Sequence, residues 1–362
     1  MQSLAKKRLL AALSMAVVMV LGCLLATDAD AATKEVRDFI AKIRDENADV
    51  RYAAWRSAGK VGAPAVVPLG RLVAGEDKGV AKAASEALNT IAHYASRPGA
   101  DGERKAVSKE LMKLLGRKRP QAVRVKALEL LGLTGDDECV LRIARLLGDE
   151  KLREDARRAL ERIPGKASVK VLIEVLGKVP EDFRPAIIHS LGQKNAVEAL
   201  DTLAQCAESS NKEIALAAYQ AISRIDGVPS RTPQPVVLWE ELSDREKRVF
   251  VGAYLRFADR RAAKGDAEIA QGIYRGALAS AEQQHLRCAG LIGLAKVGSA
   301  SDVDAMLPAL ADESAAVRHV AEEALISLKD AAVDATLKEA LETASGDMKE
   351  CISKIISARQ SQ

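Results

Sequence analysis

The feature that most constrains the fold is an apolar pattern that recurs nine times along the chain, mostly at intervals of 29 to 31 residues. Each copy has an apolar anchor residue, followed four and eight residues later by further apolar residues. These offsets lie on one face of an α-helix, and a second apolar segment precedes each anchor. Every copy therefore predicts a helical hairpin. The anchors are Val50, Val80, Val123, Leu152, Phe183, Ile214, Leu286, Val317 and Met348.

An isolated hairpin of this kind cannot bury its apolar face, so such units must stack on their neighbours. The sequence therefore predicts an all-α fold, a right-handed α-solenoid of about nine hairpins. Apolar residues make up 48% of the chain and charged residues 29%, which excludes an intrinsically disordered chain and a polytopic membrane protein. Because aromatic residues are only 3%, Leu, Val, Ile and Ala must form most of the core.

Six anchors are followed directly by arginine, ahead of the alanine and leucine positions of the same helix. The pairs are Val50-Arg51, Val123-Arg124, Leu152-Arg153, Phe183-Arg184, Leu286-Arg287 and Val317-Arg318. This pattern resembles the short bacterial HEAT repeats that also occur in phycobilin lyases, and it covers residues 35–358. The resemblance implies a hydrogen-bonded ladder between repeats, built from an Asp before the anchor and the Arg after it. The spacing is present for Asp45 with Arg51 and for Asp312 with Arg318, whereas Ala81 and Ala215 should interrupt the ladder.

A long insertion separates the sixth and seventh repeats. Pro229, Pro233 and Pro235 predict an extended connector, and the segment 243–246 reads as a capping box that opens a helix. The segment 254–278 resembles one tetratricopeptide hairpin, which we expect to act as a structural wedge in the array. The predicted domains are an export signal peptide (1–31), N-terminal HEAT-like repeats (32–227), the connector with its hairpin (228–283) and C-terminal HEAT-like repeats (284–362).

The N-terminal segment predicts export from the cytoplasm. Three positive residues, Lys6, Lys7 and Arg8, precede an apolar run over 9–26, and Ala29 and Ala31 suit cleavage by a signal peptidase. Two alternatives stay open: lipid attachment at Cys23 after a lipobox-like sequence, or an uncut membrane anchor. All three place the rest of the chain in the periplasm or outside the cell.

The residues that could carry chemistry form no recognisable catalytic or metal-binding pattern. The four histidines, His93, His189, His285 and His319, lie in no metal-binding motif, and we expect His189 and His319 to face solvent. Ser57 and Lys60 match a serine-nucleophile spacing but lack the companion motifs of that enzyme class. We therefore predict no catalytic residues, no metal site and no cofactor.

The cysteines that follow the signal segment are too few and too widely spaced for a disulfide framework. They are Cys139, Cys206, Cys288 and Cys351. The repeat register places Cys351 in a column of buried small residues and Cys288 in a partly exposed column. No intramolecular disulfide is expected, because the repeats that carry these residues are not adjacent.

Charge gives the remaining functional signal. The net charge is only +4, yet the segment from Arg104 to Lys126 holds nine positive residues and a single acid, Glu110. One interpretation is a solvated outer face of the third repeat. The other is a docking patch for an acidic protein, an envelope polymer or a lipid headgroup. The candidate residues of that patch are Arg117, Lys118, Arg119, Arg124 and Lys126.

Together these features favour an exported, non-catalytic scaffold that binds a protein or an envelope component through the solenoid surface. Nucleic acid is disfavoured as a partner, because the basic segment has no interleaved aromatic residues for base stacking. Two alternative functions remain: a lyase or enzyme-accessory subunit of the phycobilin-lyase type, and a lipid-anchored assembly factor of the envelope. A membrane contact is expected only through an N-terminal anchor.

Overall fold

The computed structural model describes residues 33–233, 239–280 and 283–361. The predicted export segment, including Cys23, lies outside these ranges, as does Pro235 of the connector. By its contacts the chain divides into two compact units, Met1–Leu172 and Ile173–Gln362. All regular secondary structure in the described ranges is helical. No helix there is long and apolar enough to cross a bilayer.

The first unit contains helix α1 (33–43) and then seven further helices. They are α2 (Ala48–Val61), α3 (Val66–Leu72), α4 (Lys78–Ala95), α5 (Asp101–Leu114), α6 (Gln121–Thr134), α7 (Asp137–Ala144) and α8 (Arg153–Arg162). The next helix, α9 (Lys166–Leu176), contains the boundary between the two units. Helices α2, α4, α6 and α8 stack on one another in one layer, while α3, α5 and α7 form the other. Neighbouring helices in the chain also pair as hairpins, so the predicted α-solenoid class is confirmed.

The apolar columns read from the sequence form the interior of this stack. Four residues after each anchor, Ala54, Ala84, Ala127 and Ala156 are 0–4% exposed. Ala58, Leu88, Leu131 and Leu160, eight residues after the anchors, are 0–1% exposed. Small side chains in the first column let adjacent helices approach closely, and the branched side chains in the second fill the space between them.

The second unit continues with α10 (Arg184–Gln193), α11 (Leu200–Ala207), α12 (Lys212–Ile222), α13 (Asp244–Ala263) and α14 (Ala267–Ser280). It ends with α15 (Gln284–Val297), α16 (Val303–Met306), α17 (Ala315–Ser327), α18 (Val333–Thr343) and α19 (Gly346–Gln360). Helices α10 and α12 pack together, as do α15, α17 and α19 in succession. This is the same arrangement of hairpins as in the first unit.

The inserted hairpin is formed by α13 and α14, as predicted. Ser243 and Glu246 make the expected capping box at the start of α13. Helix α13 packs on α12, and α14 packs on α15, so the insertion occupies a place in the stack. The buried Arg261 on α13 donates to the carbonyl oxygen of Pro229 at 2.8 Å, which fixes the start of the connector.

Two arginines after the anchors bind an acid of the following repeat, whereas neither named pair joins through its carboxylate: Arg51, for example, donates to the backbone carbonyl of Asp45 at 2.6 Å. Between repeats, Arg287 binds the Asp312 carboxylate at 3.0 Å, and Arg124 lies 3.4 Å from the Asp149 carboxylate. Within a repeat, however, Arg318 donates to the backbone carbonyl of Asp312 at 2.6 Å. The Asp312 carboxylate instead accepts the backbone N–H of Ser314, which caps the turn before α17.

A neutral side chain joins the fifth and sixth repeats. Asn211, which precedes this anchor helix, donates to the Glu181 carboxylate of the preceding repeat at 3.1 Å. Its own side-chain oxygen accepts the backbone N–H groups of Glu213 and Ile214 at the start of α12. This contact joins the sixth repeat to the fifth, whereas an arginine at position 215 would have faced the unit that follows.

Candidate functional site

The basic segment Arg104–Lys126 runs through α5, the following turn and the first half of α6. Five of its nine cations are paired with carboxylates. Three pairs involve α5: Arg104 with Asp101 (2.9 Å), Lys105 with Glu138 (2.5 Å) and Lys113 with Glu110 (2.5 Å). Four of the five acids, Asp101, Glu129, Glu138 and Asp149, lie outside the segment in sequence. The excess of positive charge is therefore smaller in the folded chain than in the sequence.

Two of the five candidate patch residues are half-buried and paired with carboxylates. The side chains of Arg124 and Lys126 are 13% and 12% exposed, and they pair with Asp149 and Glu129. Within the described residues, the Nε atom of Arg124 is buried without a hydrogen-bond partner. These two cations are mostly covered and already paired, so they are less accessible to an outside partner than the other three candidates.

The other three candidates, Arg117, Lys118 and Arg119, lie in the turn between α5 and α6, and we call them the basic turn. The backbone N–H of Arg119 donates to the carbonyl of Gly116 at 2.9 Å, which closes the turn. Arg117 and Lys118 are exposed and Arg119 is half-buried. In the part of the chain that the structure describes, none of the three pairs with a carboxylate.

The position of the basic turn explains how three adjacent cations are tolerated. They follow directly after the C-terminus of α5, where the partial negative charge of the helix dipole favours positive side chains. The turn offers several N–H donors to an anion, so the arrangement can bind negative charge.

The histidines lie at the surface, and the Ser57 hydroxyl is engaged within its own helix. All four histidines are exposed, which confirms the predictions for His189 and His319. Across the described ranges, no three His, Cys, Asp or Glu side chains converge in a way that could hold a metal ion. The Ser57 hydroxyl donates to the carbonyl of Ala54 at 2.9 Å, so its proton is directed to its own helix.

The cysteines are free thiols in the described part of the chain. Burial raises the pKa of Cys139, Cys206 and Cys288, so these sulfurs stay protonated and are poor nucleophiles at neutral pH. Cys288 is half-buried, as predicted. Cys351 was expected to be buried, and it is also half-buried. It lies on α19, the last helix of its layer among the described residues, so the column that contains it is only partly covered.

Sequence reasoning missed a group of aromatic side chains on α2 and α4. Tyr52 and Tyr94 are large, exposed rings, and the half-buried Trp55 contacts Tyr52 edge to face. The available signal was position: Tyr52 and Trp55 stand two and five residues after the first anchor, on the outer side of the helix. These positions lie outside the buried columns of the repeat.

Comparisons with known proteins add little to this description. No protein-family model matches the sequence, and no curated protein matches it. One similar solved structure is that of human deoxyhypusine hydroxylase in complex with glycerol. It has 18% sequence identity and a TM-score of 0.34, and the match covers 74% of this chain and 100% of that chain. A TM-score this low supports no conclusion about the activity of this chain.

Proposed function

We propose that this chain is an exported, non-catalytic interaction scaffold of the HEAT-repeat type, and that it binds an acidic protein through the basic turn. The observation that carries the proposal is the contrast between paired and unpaired cations. Five cations of the basic segment are neutralised by neighbouring acids, whereas Lys109 and the three adjacent cations of the basic turn have no carboxylate partner in the described residues. A short cluster of this kind attracts a complementary anionic surface and sets the orientation of docking.

The predicted signal segment supports the exported location. Its basic start, its apolar run and the small residues at 29 and 31 have the order that secretion requires. Mass spectrometry of the mature N-terminus tests this directly. Cleavage after Ala31 leaves Ala32 as the first residue, and lipid attachment would leave a modified Cys23.

The role of the basic turn is tested with a triple variant, Arg117→Gln, Lys118→Gln and Arg119→Gln. A matched control, Lys329→Gln, Lys338→Gln and Lys349→Gln, removes the same charge from three other exposed positions. Partners captured by the wild-type chain are quantified by mass spectrometry for both variants, at low and at physiological salt.

We expect the basic-turn variant to lose about tenfold in partner affinity at low salt, since each exposed ion pair contributes about 0.5 kcal/mol. The difference should shrink at higher ionic strength, where exposed charges are screened over about 8 Å. Equal capture by the wild-type chain and the basic-turn variant at low salt would refute the proposed role.

A further inference from the structure

Three aromatic side chains lie along one stretch of α2: Tyr52 and Trp55 belong to α2, and Tyr94 of α4 lies against Gly59, in a chain with only 3% aromatic residues. Tyr52 is 50% exposed, Tyr94 is 39% exposed and Trp55 is half-buried. Every other aromatic side chain that the structure describes is buried or half-buried. We call Tyr52, Trp55 and Tyr94 the aromatic strip.

The rings follow the axis of α2. Tyr52 and Trp55 meet edge to face, with their centroids 5.1 Å apart. One turn further on, a methyl group at Gly59 would lie 2.7 Å from Cγ of Tyr94, so the Tyr94 side chain lies directly on the backbone of α2. The strip thus passes positions 52, 55 and 59 of the helix, a length of about 10.5 Å at the helical rise per residue.

Two arginines hold the rings in place. Arg56 donates to the Tyr52 hydroxyl at 3.2 Å. The Arg97 guanidinium lies 3.8 Å from the centre of the Tyr94 ring, and it also pairs with Glu103 at 2.6 Å. Rings fixed in this way lose little conformational entropy when a ligand binds, which favours their use as a recognition surface.

The strip also carries hydrogen-bond donors. The Tyr52 oxygen accepts a hydrogen bond from Arg56, so its own O–H remains to donate to an acceptor outside the chain. The Trp55 indole N–H is a donor only. It donates to no other residue within the described ranges. A ligand on the strip would therefore meet apolar ring surface together with two donors.

We propose that the aromatic strip binds an acidic, proline-rich segment of another protein in the polyproline II conformation. Prolines three residues apart in that conformation are about 9.3 Å apart, close to the length of about 10.5 Å that the strip spans along α2. The carbonyl groups of such a segment make no internal hydrogen bonds, and proline has no N–H. The segment therefore presents acceptors and apolar rings, and the strip presents donors and aromatic rings.

Charge complementarity specifies the acidic character of the segment. Arg56 and Lys60 on α2 and Lys82 on α4 are exposed cations. None of the three pairs with a carboxylate among the residues that the structure describes. Carboxylates next to the prolines would neutralise this excess charge. The strip lies on different helices from the basic turn, so the two proposals can be tested separately.

The experiment uses Trp55 as a reporter. The chain has two tryptophans, so the variant Trp239→Phe leaves Trp55 as the only one. The probe is a synthetic peptide of eight prolines followed by two glutamates. The matched control peptide replaces the prolines with alternating serine and glycine and keeps the glutamates. Binding is measured as the shift of Trp55 emission during titration.

We expect a saturable shift to shorter wavelength with the proline peptide, and at least tenfold weaker binding of the serine–glycine peptide. Tyr52→Ala should weaken binding of the proline peptide by about tenfold, because it removes a ring and a donor. Tyr52→Phe, which removes only the hydroxyl, should weaken it about fivefold, the loss typical of one hydrogen bond. Leu141→Ala alters another exposed apolar residue of the same unit, 66% exposed, and should change nothing.

Four results would overturn the proposal. They are the absence of a saturable shift at millimolar peptide, equal affinity for the two peptides, equal weakening by Leu141→Ala and Tyr52→Ala, and an emission shift that follows protein concentration without peptide. The last result would mean that the strip binds a second copy of the chain. If circular dichroism shows that Tyr52→Ala impairs folding, the peptide titration is done with Tyr52→Phe and Arg56→Gln instead.

Discussion

For Gly293→Ala on α15, side-chain packing and helix propensity should change the free energy of unfolding in opposite directions. A methyl group at this position would lie 2.3 Å from two ring carbons of Tyr274 on α14. Tyr274 is 2% exposed, and its hydroxyl donates to Asp259 at 2.7 Å. The ring therefore cannot move aside without disturbing the packing of α13, α14 and α15.

The magnitude follows from these contacts. An ordinary carbon–carbon contact is about 3.5–4.0 Å, so Gly293→Ala requires the ring to move by about 1.2 Å or more. Overpacking of this kind costs about 1–3 kcal/mol, and loss of the Tyr274 hydrogen bond costs about 1–2 kcal/mol. Alanine offsets about 1 kcal/mol through its higher helix propensity. The expected net destabilisation is about 1–4 kcal/mol.

Gly276→Ala on α14 is the matched control. Gly276 is exposed, and no other atom lies within 4 Å of a methyl group placed there. The same substitution should therefore stabilise the chain by about 0.5–1 kcal/mol. Urea unfolding followed by far-ultraviolet circular dichroism measures both variants. A Gly293→Ala variant as stable as the wild type, beside a stabilised Gly276→Ala variant, would show that the close contact with Tyr274 costs nothing.

Three further predictions rest on single side chains. Arg359→Met should destabilise the C-terminal repeats by about 2–4 kcal/mol in urea unfolding. Arg359 pairs with Asp334 and donates to the carbonyls of Leu325, Ile326 and Leu328 at 2.7–2.9 Å, and methionine would lose all of these contacts. An unchanged unfolding midpoint would contradict this. Hydrogen bonds from the Ser243 side chain and backbone, then from Lys212, lower the pKa of Glu246 to about 2. The stability that the ionised Glu246 contributes should therefore be present above about pH 4.3 and be lost as pH falls toward 2. An NMR titration of Glu246 checks this, and Ser243→Ala should bring the pKa back toward its ordinary value. Alkylation should modify Cys139 more slowly than the three half-buried cysteines, because burial shields this thiol and raises its pKa; faster labelling of Cys139 would be inconsistent with its position.

The fold was predictable because its core is periodic in sequence. Ala84 and Leu88 recur at the same offsets as Ala127 and Leu131, so the buried face of each helix can be read without knowing its neighbours. The inserted hairpin was also predictable, since the Ser243 capping box is a local signal.

The candidate site was less predictable, because it depends on contacts between segments distant in sequence. The partners of Lys105 and Arg124 are Glu138 and Asp149, which lie outside the basic segment. The residue Ser57 shows a second difficulty. It shares a column with the buried Ala159, yet it is exposed because α2 is the first helix of its layer in the described chain. A repeat register does not show where a stack ends.

The way α13 and α14 join the second unit has a consequence for how such chains change in length. This hairpin departs from the repeat sequence of its neighbours, yet α12 and α15 accept it through ordinary helix-to-helix contacts. An inserted hairpin therefore needs two surfaces that pack on its neighbours, and it does not need their repeat sequence. Arrays of this kind can therefore gain or lose whole hairpins of unrelated sequence. Each such hairpin can expose residues that differ from those of the neighbouring repeats.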